Sequence, residues 1–222
     1  MAVASKLGRK LLACLTAWLL AKSRRADKKS KEPKAHLEVE RKFNLSEDEA
    51  KGLPDKLSRR GFSASGRLTM TDTFLPTVKD EDMIRIRVES DDNKSQRLLT
   101  MKDWLTVAGQ RERRENEGEI DLLTSCFLRL VGRLVNGKRL LAFSKTRQMF
   151  LAPERDVVVA VDQVSGLSIY SGCYLEVEVL VPLDGDVEAA RVRIRGLVVE
   201  LLGEEREFVR RSYLDMLREV VS

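Results

Sequence analysis

Residues 36–45, HLEVERKFNL, alternate apolar and charged side chains with a period of two. On a β-strand this spacing places Glu38, Glu40 and Lys42 on one face and the apolar residues on the other. Later segments repeat the pattern, each with one apolar face and one face of ordered charge. A strand whose polar face meets solvent does not need ordered charge, whereas a closed barrel that is charged on its inside does.

The same alternation predicts six further strands: Met83–Glu89, Leu98–Trp104, Arg111–Ile120, Phe143–Met149, Val157–Asp162 and Tyr174–Val181. Ser46 and Glu49 form a capping box, which predicts a short helix through Leu57. Helical periodicity predicts three more helices, over residues 121–135, Val187–Leu202 and Glu204–Val221. Strands early in the chain and helices late indicate an antiparallel α+β fold.

The positive charge is concentrated at the N-terminus. Residues 1–35 hold ten Lys or Arg against two acidic residues, a net charge of +8, and the remainder holds 30 against 33, a net charge of −3. We therefore predict two parts: a basic N-terminal segment with its linker over residues 1–34, and one domain over residues 35–222. Because the domain has no basic excess, we predict no nucleic-acid surface on it. Three distant cysteines and a single histidine disfavour a disulfide framework, a zinc site and a histidine-based triad.

Residues 11–21, LLACLTAWLLA, are an apolar run of 11 between basic flanks. A membrane-spanning helix needs about 20 apolar residues, which disfavours a transmembrane anchor. Three alternatives stay open: a secretory signal, a cationic import presequence and an interfacial helix on an anionic membrane. The basic stretch after the run weakens the first. We expect an intracellular protein that is mitochondrial or membrane-associated through this segment, with peripheral membrane contact through residues 6–25, and otherwise cytoplasmic.

The charged faces of the predicted strands are sorted, with carboxylate pairs on some strands and arginine or lysine pairs on others. A closed sheet of about eight strands has an interior that holds side chains or one small ligand. Lining this interior with both signs of charge is costly unless a ligand and a metal complete the neutralisation. Guanidinium and ammonium groups bind phosphate oxygens, and clustered carboxylates bind Mg²⁺ or Mn²⁺. The pattern predicts a polyanion site with divalent metal.

The string Glu38-Val-Glu40-Arg-Lys42 resembles the ExExK signature of the CYTH family, also called the triphosphate tunnel metalloenzymes. The resemblance extends in order through an R-x-R strand, a strand lysine, an R-x-E-x-E strand, a K-x-R strand, a single Asp, an E-x-E strand and a late basic residue. Residues 72–74, DTF, are similar to the family's D-T-Y segment. The resemblance implies a closed eight-stranded antiparallel β-barrel, a tunnel with helices packed outside, that hydrolyses triphosphates with Mg²⁺ or Mn²⁺.

The resemblance also implies roles for particular residues. The predicted metal ligands are carboxylates on the charged faces: Glu38, Glu40, Glu115, Glu117, Asp162, Glu176 and Glu178. The predicted substrate-binding residues are cations: Lys42, Arg85, Arg87, Lys102, Arg113, Lys145, Arg147 and Arg211. Four of these, Lys42, Arg85, Arg87 and Lys102, are the predicted catalytic set, which offsets charge on the leaving diphosphate. Asp162 has a second interpretation, in which it orients Lys145 or Arg147.

Few aromatic residues, 5% of the chain, favour a small substrate, so we predict hydrolysis of the terminal phosphoanhydride of inorganic tripolyphosphate. The alternatives are a thiamine or nucleoside triphosphatase, an RNA 5′-triphosphatase, a class IV-like adenylyl cyclase and a non-catalytic polyphosphate-binding module. The sequence predicts no oligomeric state.

Overall fold

A computed structural model describes residues 2–26, 36–79, 82–107, 110–137, 139–182 and 185–221. Within these ranges, the side chains of residues 2–5, 22–26, 36–38 and 103–115 lie outside the description. The strands are β1 His36–Leu45, β2 Ser63–Leu75, β3 Met83–Ser90, β4 Ser95–Val107, β5 Gln110–Glu119, β6 Leu141–Leu151, β7 Val157–Ser165 and β8 Gly172–Pro182. The α-helices are α1 Ala2–Ala26, α2 Glu47–Arg59, α3 Leu122–Asn136, α4 Val187–Leu202 and α5 Tyr213–Val221.

The strands form one eight-stranded antiparallel sheet in the order β1-β8-β7-β6-β2-β3-β4-β5. The α+β class and the antiparallel sheet predicted from the sequence are therefore confirmed. The order begins at β1 and ends at β5, so hydrogen bonding among the described residues does not confirm closure into a barrel.

The chain divides into two compact units: Met1–Lys31 with Met70–Phe143, and Glu32–Thr69 with Ser144–Ser222. In the first unit, α1 packs against α3, β4 and β5. Leu12 and Leu20 of α1 and Leu128 of α3 are buried with Ile84 and Ile86 of β3. Because Arg85 and Arg87 alternate with these isoleucines, the apolar face of the strand lies under the helices and the cationic face points away from them.

The core of the second unit lies between its strands and the helices α2 and α4. Val39 of β1 and Leu175 and Val177 of β8 are buried with Leu53 of α2 and Ile194 of α4. The capping box at Ser46 begins α2 as predicted, and both of its hydrogen bonds form. The carboxylates of β8 alternate with the buried apolar residues and so lie on the opposite face.

The structure departs from the sequence analysis in two elements. The strand β2 was not predicted, because the first half of its sequence, SASGRL, is exposed with no alternation. The predicted helix Glu204–Val221 begins only at Tyr213. The preceding residues follow β1 instead, where Val209 N–H donates to the carbonyl of Lys42 and the Arg206 guanidinium donates to the carbonyl of Asn44.

Among the described residues, no helix has an apolar stretch sufficient to traverse a bilayer.

Candidate functional site

The charged face of the second unit is built by direct cross-strand pairs. Lys42 of β1 lies opposite Glu176 of β8, and Arg147 of β6 lies opposite Asp162 of β7. Side chains in such positions are close enough to interact directly. The register therefore places cations and carboxylates from four strands on one face, and Tyr213 of α5 contacts them. We call these residues the Asp162 cluster: Lys42, Lys145, Arg147, Asp162, Glu176 and Tyr213.

Asp162 is the hub of this cluster and is fully buried. Its Oδ2 accepts hydrogen bonds from Lys145 Nζ at 2.7 Å and from Arg147 Nη2 at 2.6 Å. Its Oδ1 accepts from Arg147 Nε at 2.7 Å, and the Tyr213 hydroxyl donates to Oδ2 at 3.2 Å. Both carboxylate oxygens are engaged by cations, so Asp162 holds Lys145 and Arg147 in place.

Glu176 is the second carboxylate of the cluster, and Arg147 Nη2 also donates to it. Burial alone raises the pKa of Glu176, but the charges of Lys145, Arg147 and Lys42 outweigh it and hold the pKa well below its usual range. Burial likewise opposes the charge of Arg147, and the two carboxylates reverse this effect and raise its pKa well above the usual value. Arg147 and Glu176 therefore stabilise each other's charged forms.

Lys42 is held in a different way from the other two cations. Its Nζ donates to the carbonyl of Arg211 at 2.7 Å and lies 3.9 Å from the centre of the Tyr213 ring. Burial lowers the pKa of Lys42, and Glu176 only partly offsets this. Burial, together with Glu176 and Asp162, raises the pKa of Tyr213 well above 10. An anion placed beside Lys42 would favour its charged form.

The first unit has a separate charged cluster, the Asp72 cluster: Asp72, Arg85, Arg87, Glu89, Thr100 and Glu117. Asp72 is buried, and Arg87 binds it with two hydrogen bonds, Nε to Oδ1 at 2.7 Å and Nη2 to Oδ2 at 2.8 Å. Arg85 Nη1 lies 3.5 Å from Asp72 Oδ2. A bidentate carboxylate fixes a guanidinium in both position and plane, so Asp72 orients the R-x-R pair of β3.

Thr100 links Arg85 to a predicted metal ligand. Its hydroxyl accepts from Arg85 Nη2 at 3.2 Å and donates to Glu117 Oε2 at 2.6 Å. Arg85 Nη2 is also 3.6 Å from that Glu117 oxygen. Thr100 is fully buried and lies opposite Glu117 in the register of β4 and β5. The Thr100 hydroxyl therefore bridges Arg85 and Glu117, which the strand alternation had placed on one charged face.

The remaining predicted site residues are placed only in part. Lys102 lies opposite Glu115, and Arg113 lies opposite Trp104, but the Glu115 and Arg113 side chains are outside the description. Glu38 of β1 pairs with Leu180 of β8, but the structure does not describe the Glu38 side chain. The Arg211 guanidinium is exposed and contacts the Tyr170 hydroxyl and Glu219, while its carbonyl receives Lys42.

Sequence reasoning missed two residues that organise the clusters. Asp72 was noted only as part of the DTF segment, and Tyr213 lies two residues after Arg211 with no pattern of its own. Each is identified only when the fold brings it onto a charged strand face.

Among the described side chains, no three or more His, Cys, Asp or Glu residues lie close enough together to hold a metal ion. Two of the predicted ligands do meet, because Glu40 of β1 lies directly opposite Glu178 of β8. Like charges in this position destabilise an antiparallel pair, and a hard cation between them would relieve the repulsion. The oxygen donors of this pair fit Mg²⁺ or Mn²⁺.

A sequence model of the CYTH domain matches residues 36–213, which is most of the chain. The chain belongs to the CYTH domain family. The match spans the strands that hold both clusters and ends at Tyr213. Among curated proteins, no sequence matches this CYTH protein.

Solved structures share the fold of this CYTH domain. The PH1819 protein of Pyrococcus horikoshii OT3 superposes with a TM-score of 0.63 at 24% identity, over 82% of this chain and 99% of that chain. A candidate adenylyl cyclase, HpAC1 from Hippeastrum, superposes with a TM-score of 0.59 at 18% identity, over 84% of this chain and 96% of that chain. Its structure was reported as revealing a dominant triphosphatase activity. At these identities the likeness shows the fold.

Proposed function

We propose that this CYTH protein is a divalent-metal-dependent triphosphatase that cleaves the terminal phosphoanhydride of a triphosphate, with inorganic tripolyphosphate as the leading substrate. The observation that carries the proposal is the Asp162 cluster, in which Lys42, Lys145 and Arg147 stand on one strand face of a CYTH domain. The triphosphatase activity reported for the Hippeastrum relative supports it. The closed tunnel predicted from the sequence is part of the proposal.

In this proposal the cations of the clusters bind phosphate oxygens. Ammonium and guanidinium groups that are already held in place lose little conformational entropy on binding, and they stabilise the charge that develops on the leaving diphosphate. Asp162 and Asp72 act as positioning residues for these cations rather than as metal ligands. Tyr213 fixes the position of Lys42 by packing its ring against the ammonium group.

Glu40 and Glu178 would hold the divalent cation. The resemblance implies Glu38 and Glu176 of the second unit, and Glu115 and Glu117 of the first, as further metal ligands. Bound Mg²⁺ or Mn²⁺ would neutralise phosphate charge and act as a Lewis acid. A carboxylate of this set orients a water and accepts its proton. The water oxygen forms a bond to the terminal phosphorus while the bridging oxygen–phosphorus bond breaks, and the electron pair leaves with the diphosphate.

A phosphate-release assay on tripolyphosphate, thiamine triphosphate and ATP, with Mg²⁺ or Mn²⁺, tests this function. Lys42→Gln should lower kcat/KM by about 100-fold or more, because it removes a fixed charge from the transition state. Lys56→Gln is the matched control, since Lys56 Nζ also donates to a backbone carbonyl, that of Leu201, at 2.7 Å. Activity should be nearly unchanged in the control. Equal losses in the two variants would refute the role of the cluster.

The second candidate is a non-catalytic polyphosphate-binding module. This candidate is favoured because Asp162 and Glu176 form ion pairs with Lys145 and Arg147, so that the two carboxylates serve as structural counter-charges. Measurable binding of tripolyphosphate, with no phosphate released by either metal, would establish this module and reject the enzyme. A cyclic product from ATP would instead identify a cyclase.

A further inference from the structure

The helix α1 is apolar on two opposite sides. Leu12, Thr16 and Leu20 follow one another at intervals of four residues and are buried. Leu7, Leu11 and Trp18, on the opposite side, are exposed to 61%, 63% and 59%. A single buried stripe suffices to hold a helix on a domain, so the second stripe is not needed for the fold.

The helix α3 repeats this arrangement. Ser125, Leu128 and Gly132 are buried against the first unit. The opposite side exposes large apolar residues with the same helical spacing: Phe127, Leu130 and Leu134. We call the exposed residues of the two helices the two-helix face: Leu7, Leu11, Trp18, Phe127, Leu130 and Leu134.

The two exposed stripes lie side by side. Leu12, Leu20 and Leu128 belong to one core over the apolar face of the same strands, so both helices cover the same side of the sheet. The helices also approach closely, because a Cβ on Gly8 of α1 would lie 3.0 Å from Val135 Cγ2 of α3. Their outward sides therefore form one apolar surface rather than apolar residues scattered singly.

The charges of the two helices identify what this surface binds. α1 contains six Lys or Arg residues and α3 contains two, and neither contains an acidic residue. Lys6, Lys10 and Arg133 are exposed beside the apolar stripes. A second copy of the chain on this face would bring two sets of these exposed positive charges together, whereas an anionic surface would neutralise them.

The environment of Arg129 on α3 supports this. Among the described residues, its Nε and Nη2 are buried with no hydrogen-bond partner. Burial lowers the pKa of Arg129, Arg97 and Arg133 lower it further, and Cys126 partly offsets this. The charge of Arg129 is therefore not fully compensated by the described residues.

We propose that the two-helix face binds the surface of an anionic phospholipid bilayer, with its apolar residues in the interface and its basic residues on the phosphate headgroups. An amphipathic arrangement of Trp, Phe and Leu beside Lys and Arg is typical of helices that lie in the membrane interface. The sequence predicted membrane contact through residues 6–25; the structure adds α3 as an equal part of the surface.

Flotation of the full-length protein with vesicles tests the proposal. The protein should float with phosphatidylcholine vesicles that contain phosphatidylserine, should not float with phosphatidylcholine alone, and should bind less as salt increases. Leu130→Glu should lower the vesicle partition coefficient about tenfold or more, because it removes a leucine that would be buried in the membrane and adds a negative charge that anionic lipids repel. Val192→Glu on α4 is the matched control, since Val192 and Leu130 are both exposed to 57%. The control should stay within about twofold of wild type.

Trp18 provides a second readout in a Trp104→Phe background, where it is the only tryptophan. Its emission should shift to shorter wavelength with anionic vesicles and not with neutral ones. Equal binding to both vesicles, or equal effects of Leu130→Glu and Val192→Glu, would overturn the proposal. Concentration-dependent dimers that Leu130→Glu abolishes, without vesicle binding, would assign the face to a second copy instead. If circular dichroism shows that Leu130→Glu lowers the melting temperature, Phe127→Ser replaces it, with the same expected fall in the vesicle partition coefficient.

Discussion

Replacement of Asp162 by asparagine should strongly destabilise the protein. The substitution keeps the size of the side chain but removes the charge that Lys145 and Arg147 contact at 2.6–2.7 Å. Lys145 and Asp162 are buried and the Arg147 side chain is only 16% exposed, so the loss leaves poorly solvated positive charge with Glu176 as its remaining counter-charge in the cluster. Breaking a buried ion pair in this way costs about 3–5 kcal/mol. At about 2–4 °C per kcal/mol for a chain of this size, the melting temperature should fall by roughly 6–20 °C.

Thermal melting followed by circular dichroism in a phosphate-free buffer measures the effect. Asp156→Asn is the matched control, because Asp156 also binds an arginine, Arg193, but the two side chains are 38% and 46% exposed. A surface pair of this kind contributes about 0–1 kcal/mol, so the control should melt no more than about 4 °C below wild type. Equal losses in the two variants would refute the account of Asp162 as a buried hub.

The same variant tests whether the cluster is open to phosphate. Tripolyphosphate can supply the negative charge that Asp162→Asn removes, and a ligand that binds only the folded state raises the melting temperature. The increase should therefore be larger for Asp162→Asn than for wild type. An equal or smaller increase would refute the expectation that the anion replaces the charge of Asp162.

Three further predictions concern the fold and the second cluster. Gly132→Ala should cost about 1–3 kcal/mol of unfolding free energy, because its Cβ would lie 2.9 Å from a leucine methyl group. Gly196→Ala, whose Cβ would have nothing within 4 Å, should instead stabilise its helix by about 0.5–1 kcal/mol. Urea unfolding measures both free energies, and the reverse order would contradict the packing of α3. Thr100→Val should cost about 1–3 kcal/mol of unfolding free energy and lower turnover, because Arg85 and Glu117 lose the buried hydroxyl that they share. Unchanged melting and kinetics would refute this role of Thr100. Hydrogen bonds from Arg206 lower the pKa of Glu49 to about 2 from 4.5. The ionised Glu49 therefore stabilises the fold fully above pH 4.5, and this contribution is lost as the pH falls toward 2. Glu49→Gln should flatten the fall in melting temperature at acid pH, and identical pH profiles of the two proteins would reject the linkage.

Alternation of apolar and charged residues predicted the strands of the charged faces because one face of each is buried. Ile84 and Ile86 against Arg85 and Arg87 show the rule most clearly. The strand β2 was not predicted because its first half is exposed, and a strand alternates apolar and polar residues only where one of its faces is buried. Residues 204–212 satisfy helical periodicity, yet Arg206 gains hydrogen bonds to Glu49 and Asn44 that no local pattern encodes.

The candidate site was predictable to a similar extent. Residue type and order indicated which side chains share a face, and register then placed Lys42 opposite Glu176 and Arg147 opposite Asp162. The sequence left open whether Asp162 binds metal or orients cations, because that depends on contacts made across strands. Tyr213 reaches the cluster from the C-terminal helix, far along the chain from Lys42, so only the tertiary structure identifies it.

Phosphorus NMR of tripolyphosphate incubated with the full-length protein and Mg²⁺ or Mn²⁺ tests the central claim most directly. The account predicts that orthophosphate and diphosphate accumulate in equal amounts, that chelation of the metal stops the reaction, and that Lys42→Gln nearly abolishes it while Lys56→Gln does not. Tripolyphosphate that binds but stays intact with both metals would contradict the account.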